Sequence, residues 1–467
     1  MGKSWLSSVA WSTLLLTGCT QIGPYHTTIS ATVSGQPTEI DSQHLLRQQN
    51  KGQDNEFRLG FVEFDEYGHL FNRKQLVDVM AQLGALEEQN PIILVFVHGW
   101  HHNAAENDEN LLEFKKVLAD ASATEKHLSE GKNPRRPVIG LFVGWRGESV
   151  KSPSYFPYNI LTFWERKNVA QAIGHGGMVE LFSLLAEMHD RHSEHSRLII
   201  IGHSFGGALV YSALAQVMID RMSRLPAVEP QAEPKRVRPL GNLIVLLNPA
   251  FEAMLYRPLF DLARSREYNP QQMPVMATIT TENDWATHYA FKAGRLVSTL
   301  FDSYADPPVG GAMNTSAIGH YLPFVTHVLL PVKNCEPADH TKDSKTENLQ
   351  AAITRHLVNF QDSSQDRKCF NLKGPSHEND PELVLIRNDR PESGGELTKG
   401  NYIEKGLVSN GRAPYHNPFL TIRTTKEVID GHNGIWNDTL RSFLRQFILL
   451  SLEHPGLMPT FRTPGTP

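Results

Sequence analysis

Four uninterrupted apolar runs constrain this chain more than any other feature: Ile92 to Val97, Val138 to Val143, Leu198 to Ile201 and Leu243 to Leu247. A strand with one wet face alternates apolar and polar residues. A strand without alternation is buried on both faces, as in a parallel sheet covered by helices. Helical spacing separates the runs. Leu76, Val77, Met80 and Leu83 recur at helical intervals within Lys74 to Leu83, Met178, Leu181, Phe182 and Leu185 share one face, and Ala208 to Met218 is an apolar helix. Phe57, Leu59 and Phe61 alternate and read as an earlier strand, while Val275 to Thr280 and Phe419 to Ile429 read as later ones. Strands and helices in this alternation predict an α/β fold with a doubly wound, mostly parallel sheet.

Hydrophobic residues are 40% of the 467 and charged residues 20%, which supplies apolar material for one large core. The net charge is −5 and there is no long basic run, so nucleic acid is not an expected partner. No run of 18 apolar residues follows the N-terminus, so no transmembrane helix is expected there. Residues 19–56 are polar and read as a tether, 57–452 as the folded domain, and 453–467 as a Pro-rich tail. A polar stretch over about 334–410 reads as an insertion before the last strand.

The first residues have the form of a secretory signal: Lys3, a short apolar stretch from Trp5 to Leu16, then Leu16-Thr17-Gly18-Cys19. The last four resemble the lipobox of bacterial lipoproteins. That resemblance implies removal of residues 1–18, acylation of Cys19, and a protein of the cell envelope held on a membrane by lipid. Thr20 is not acidic, which by the same resemblance favours the outer membrane, facing the periplasm. With Cys19 so used, Cys335 and Cys369 remain as an even pair, which an oxidising compartment lets close as a disulfide.

The chemistry centres on Gly202-His203-Ser204-Phe205-Gly206. A G-x-S-x-G match arises by chance in a chain of this length with a probability of roughly 0.15, so its setting has to decide. It lies between the buried run Arg197 to Ile201 and the helix Ala208 to Met218, which is the strand–turn–helix context of a nucleophile elbow. Gly202 and Gly206 permit the sharp turn and leave Ser204 accessible. His203 reads as structural or as lining the site. Val97-His98-Gly99-Trp100 follows the first long strand. Thr280-Thr281-Glu282-Asn283-Asp284-Trp285 follows a late strand, and Asp430-Gly431-His432-Asn433-Gly434 follows the last. Leu440, Phe443, Leu444, Phe447 and Ile448 then line one face of a closing helix. His98, His101 and His102 lack zincin spacing and lie on a loop, so no metal site is assigned there.

In this order the motifs resemble those of α/β-hydrolases of the serine esterase and lipase type, over roughly residues 57–333 and 411–452. The resemblance implies a Ser204 nucleophile, His432 as its base, and Asp284 holding the imidazole, with Glu282 as the alternative acid. His288, His320 and His327 compete with His432 by order alone. The resemblance also implies an oxyanion hole made by the backbone N–H groups of Phe205 and Trp100. The separation of Asp284 from His432 is longer than usual for the superfamily, and the insertion absorbs it. The expected function is cleavage of small-molecule or lipid carboxylic esters through an acyl-enzyme, without a cofactor. Thioesterase, amidase or acyltransferase chemistry on the same residues, and a non-catalytic lipoprotein that uses the scaffold for binding, are the alternatives. The aromatic segment 145–164 reads as a core-packing loop or as a lid, and Arg146 with Glu148 as a local ion pair.

Overall fold

In the computed structural model the described residues are 23–26, 46–129, 134–147, 167, 169–170, 172–192, 195–225, 236–269, 272–299, 302–331, 367–370, 383–387 and 416–452. Their strands are β1 (Arg47–Gln49), β2 (Phe57–Glu63), β3 (Ile92–Val97), β4 (Val138–Gly144), β5 (Arg197–His203), β6 (Leu243–Leu247), β7 (Met276–Thr281), β8 (His327–Pro331), β9 (Arg367–Phe370), β10 (Leu383–Arg387) and β11 (Phe419–Thr424). All join one sheet in the order β1-β2-β4-β3-β5-β6-β7-β11-β8-β10-β9. Neighbours from β2 through β8 run parallel. β1 and the β10–β9 pair add antiparallel edges.

The helices are α1 (Arg73–Gly84), α2 (Glu109–Ser129), α3 (Gly177–Arg191), α4 (Phe205–Ser223), α5 (Ala253–Arg264), α6 (Phe291–Ser298), α7 (Pro307–Thr315) and α8 (Asp438–Leu452). They cover both faces of the sheet, and this explains the uninterrupted apolar runs. In β3, Ile93, Val95 and Val97 enter a core shared with α1, α3, α4 and α5. Ile92, Leu94 and Phe96 enter a second core under α2 and α8. Gly140 in β4 makes room on that second face: a Cβ there would lie 2.2 Å from Leu118 Cδ1 of α2. No helix among the described residues is long and apolar enough to cross a membrane.

Three sequence expectations change. The run Phe419 to Ile429 is a strand only to Thr424; Val428 and Ile429 then turn back onto Thr425 O with 3.1 Å bonds, and bury their side chains from that turn. His327, which sequence left outside any strand, opens β8, whose half-exposed edge residues mask the pattern. The domain also begins before Phe57. β1 pairs with β2, and upstream of it the Tyr25 and His26 N–H groups donate to the two oxygens of Glu63 at 2.6 and 2.8 Å. The His26 ring stacks on Phe61 at 3.5 Å and burial lowers its pKa to about 4. A buried carboxylate needs donors, and these residues supply them. The insertion over 334–410 contributes β9 and β10, with Cys369 in β9. Cys19, Cys335, Glu148 and the rest of segment 145–164 beyond Gly147 lie outside the described residues.

Candidate active site

The site is built at the C-terminal edge of the sheet. β5 ends at His203, and Ser204 turns the chain into α4 with φ 55° and ψ −120°. A non-glycine residue in that region costs on the order of 1–3 kcal/mol and persists only where its surroundings hold it. Three backbone bonds do so. Ser204 N–H donates to Leu247 O at the end of β6 (3.0 Å), while Ser204 O accepts from Ala208 (3.2 Å) and Ala250 (3.1 Å). The glycines answer a lack of space. A Cβ on Gly206 would meet Val97 O at 2.1 Å, and one on Gly99 would meet both Ser204 Cβ and His203 Nδ1 at 2.9 Å. The His98-Gly99-Trp100 loop therefore lies directly against the elbow. Phe205 opens α4, whose first-turn N–H groups point out of the helix end beside Ser204.

His432 reaches this turn from the loop after β11. Its Nε2 accepts from Ser204 Oγ at 2.7 Å, and its Nδ1 donates to Asp284 Oδ2 at 2.8 Å. Asp284 is fully buried. Its other donors are Thr287 N–H to Oδ1 (3.1 Å) and the Thr287 hydroxyl to Oδ2. Burial alone would raise this carboxyl; the charge and hydrogen bond of His432, together with Thr287, outweigh it and hold the pKa at about 2. Glu282 occupies the same turn, with its N–H on Thr424 O, but Asp284 is the carboxylate that meets His432.

Several further residues hold His432 and Asp284 in place. His203 Nε2 donates to His432 O at 3.0 Å, and Asn248 Nδ2 donates to the same oxygen at 2.9 Å and to Gly431 O at 3.2 Å. Asn248 Oδ1 accepts Thr281 N–H at 3.1 Å, tying this clamp to the turn that carries the acid. Asn283 bridges the same two loops through Asp430 Oδ1 (3.1 Å) and Gly431 N–H (3.3 Å). Asn-Pro at 248–249, directly after a buried strand, is the signal by which Asn248 could have been found. Burial and the neighbouring His432 push the His203 imidazole well below its ordinary value, so it is neutral here.

The rival histidines take other roles. His320 Nε2 donates to Thr287 Oγ1 at 2.9 Å, behind Asp284, and burial lowers its pKa to about 3. His288 stacks on it at 4.6 Å. The loop histidines have separate partners. His98 donates from Nδ1 to Gly99 O (3.0 Å), accepts Trp145 N–H (3.2 Å), and is lowered to about 4 by burial. His101 stacks on Trp100, and His102 pairs with Asp108 at 3.2 Å. Arg146 donates to Glu66 at 2.9 Å.

A hydroxyl bonded to an imidazole nitrogen, with the ring oriented by a buried carboxylate, can be deprotonated as it attacks an electrophilic carbon. Comparison of the chain with protein-family models, curated proteins and solved structures finds no match.

Proposed function

We propose that the chain is a serine hydrolase of the α/β-hydrolase type that cleaves carboxylic esters through an acyl-enzyme. The observation that carries the reading is the continuous relay from Ser204 Oγ through His432 to the buried Asp284, at 2.7 and 2.8 Å, on a strained strand–helix turn. In this reading Ser204 Oγ attacks the carbonyl carbon while its proton passes to His432 Nε2, and Asp284 stabilises the imidazolium. The tetrahedral oxyanion takes hydrogen bonds from the N–H groups of Phe205 and Trp100. Losing one such donor typically costs about 10²–10³ in rate. His432 then protonates the leaving alkoxide, and a water activated by the same base releases the acid. Acylated Cys19 would hold the enzyme at the cell envelope.

The test is labelling of the mature protein with a fluorophosphonate probe, beside Ser204→Ala and His432→Ala. The expected result is labelling of the parent alone. A folded parent that stays unlabelled, or a Ser204→Ala protein that still labels, overturns the reading.

A further inference from the structure

Among the described residues the exposed aromatic side chains are Tyr25, Tyr67, Trp285 and Tyr289, at 37%, 75%, 61% and 59% exposure. All four sit at one edge of the sheet. Tyr67 lies in the turn after β2, Trp285 and Tyr289 follow β7, and Tyr25 is bonded to Glu63, the last residue of β2. That is the edge on which Ser204 follows β5. In the strand order, β2 stands three places to one side of β5 and β7 two places to the other. At about 4.8 Å per strand, the two aromatic groups flank the nucleophile at roughly 14 and 10 Å. Tyrosine and tryptophan combine an apolar ring with a polar tip, and they are the side chains enriched where a membrane meets water.

The chain's own path points the same way. Gly23 lines a cleft at this edge with Glu66, Gly144 and Arg146. Tyr25 and His26 are fixed by the Glu63 bonds and the His26–Phe61 stack. Cys19 precedes Gly23 by four residues. An extended chain covers at most about 3.6 Å per residue, so Cys19 lies within about 14 Å of this edge.

We infer that the edge carrying Ser204 faces the bilayer in which the Cys19 acyl chains sit, with Tyr67 and Trp285 seated among the lipid headgroups. The site then takes its ester from the membrane itself, and its substrate class is the acyl esters of membrane lipids. This rests on the acylation of Cys19 and on Ser204 as nucleophile.

The experiment uses the mature, acylated full chain on vesicles of phosphatidylethanolamine and phosphatidylglycerol with brominated acyl chains. Part of the tryptophan emission is quenched, and Trp285→Phe removes that part. In parallel, the Tyr67→Ser/Trp285→Ser protein keeps its rate on soluble p-nitrophenyl acetate. On a long-chain fluorogenic ester dissolved in the vesicles it loses about tenfold or more, as expected when apolar anchoring at an interface is removed. Equal quenching in the parent and Trp285→Phe, or equal rates on the vesicle ester, overturns the inference. So does an intact mass without acyl groups, or a protein partner that covers the edge and leaves Trp285 untouched by brominated lipid. Trp285-dependent quenching with no hydrolysis of either ester supports the seating and counts against the esterase reading alone.

Discussion

Lowering the pH from 8 to 5 should unfold this domain through its buried imidazoles. His26, His98 and His320 are held neutral by burial, with pKa values of about 4, about 4 and about 3. In the unfolded chain each returns to about 6.5. Between the folded and unfolded values the unfolded state binds more protons, so stability is fully present above about pH 6.5 and falls as the pH drops toward 4. Each histidine then loses about 2 kcal/mol between pH 8 and pH 5, and the three together about 6 kcal/mol. That is comparable to the whole stability of a typical domain, about 5–15 kcal/mol. Asp284 acts in the same direction at lower pH: its contribution is complete above about pH 4 and is lost as the pH falls through about 2. Urea unfolding followed by far-UV circular dichroism at pH 8, 7, 6 and 5 measures the loss. A stability at pH 5 within about 1 kcal/mol of that at pH 8 would mean that the folded protein protonates these rings freely, and the burial argument would be refuted.

Three substitutions test the site and its frame. Asp284→Asn should retain the fold and reduce kcat by about 10⁴, because the imidazole loses both its tautomer and its counter-charge; circular dichroism and ester hydrolysis together check this. Thr287→Val removes one donor and one acceptor at once: the hydroxyl on Asp284, and the oxygen that accepts from His320 Nε2. The Asp284 carboxylate then loses a hydrogen bond worth about 1.5–3 kcal/mol, so kcat at pH 8 should fall about tenfold or more with circular dichroism unchanged; an undiminished kcat would show that Thr287 does not hold the charge. Gly140→Ala places a methyl against Leu118 and should cost about 1–3 kcal/mol by overpacking, read as a lower midpoint in urea with unchanged hydrolysis per folded molecule.

The centre of the sheet was legible because burial on both faces leaves unbroken apolar runs of strand length, separated by segments with helical spacing. Its rims were not. Arg47-Gln48-Gln49 forms β1 with no apolar residue at all, since an edge strand can be held by backbone pairing alone. β8 lies between β11 and β10, yet of its side chains only Leu329 is fully buried, so its pattern resembles a loop. Val428 and Ile429 mislead in the opposite sense. Their β-branched, buried side chains extend the apparent strand, although i→i+3 and i→i+4 bonds to Thr425 close a turn there.

At the candidate site, the convergence of Ser204, Asp284 and His432 was legible because Ser204 and Asp284 closely follow β5 and β7 and His432 lies on the Gly-flanked loop between β11 and the closing helix. Of the residues that hold them in register, His203 was marked by its place in the elbow, whereas Asn248 and Asn283 were not, because a single polar side chain has no periodicity. Yet the geometry depends on them. His432 stands on a loop flanked by Gly431 and Gly434, and its backbone oxygen is held by His203 from the end of β5 and by Asn248 from the end of β6. The imidazole is therefore positioned by the two strands that also bond Ser204, through Leu247 and the elbow itself. His432 and Ser204 share one support, so a shift in β5 or β6 carries both together and preserves the 2.7 Å contact between them. Asp284 joins that support through Thr281 and Asn283. A long insertion between Asp284 and His432 can thus be accommodated without disturbing the relay, because the relay is fixed by contacts across the sheet edge and not by the length of chain between its members.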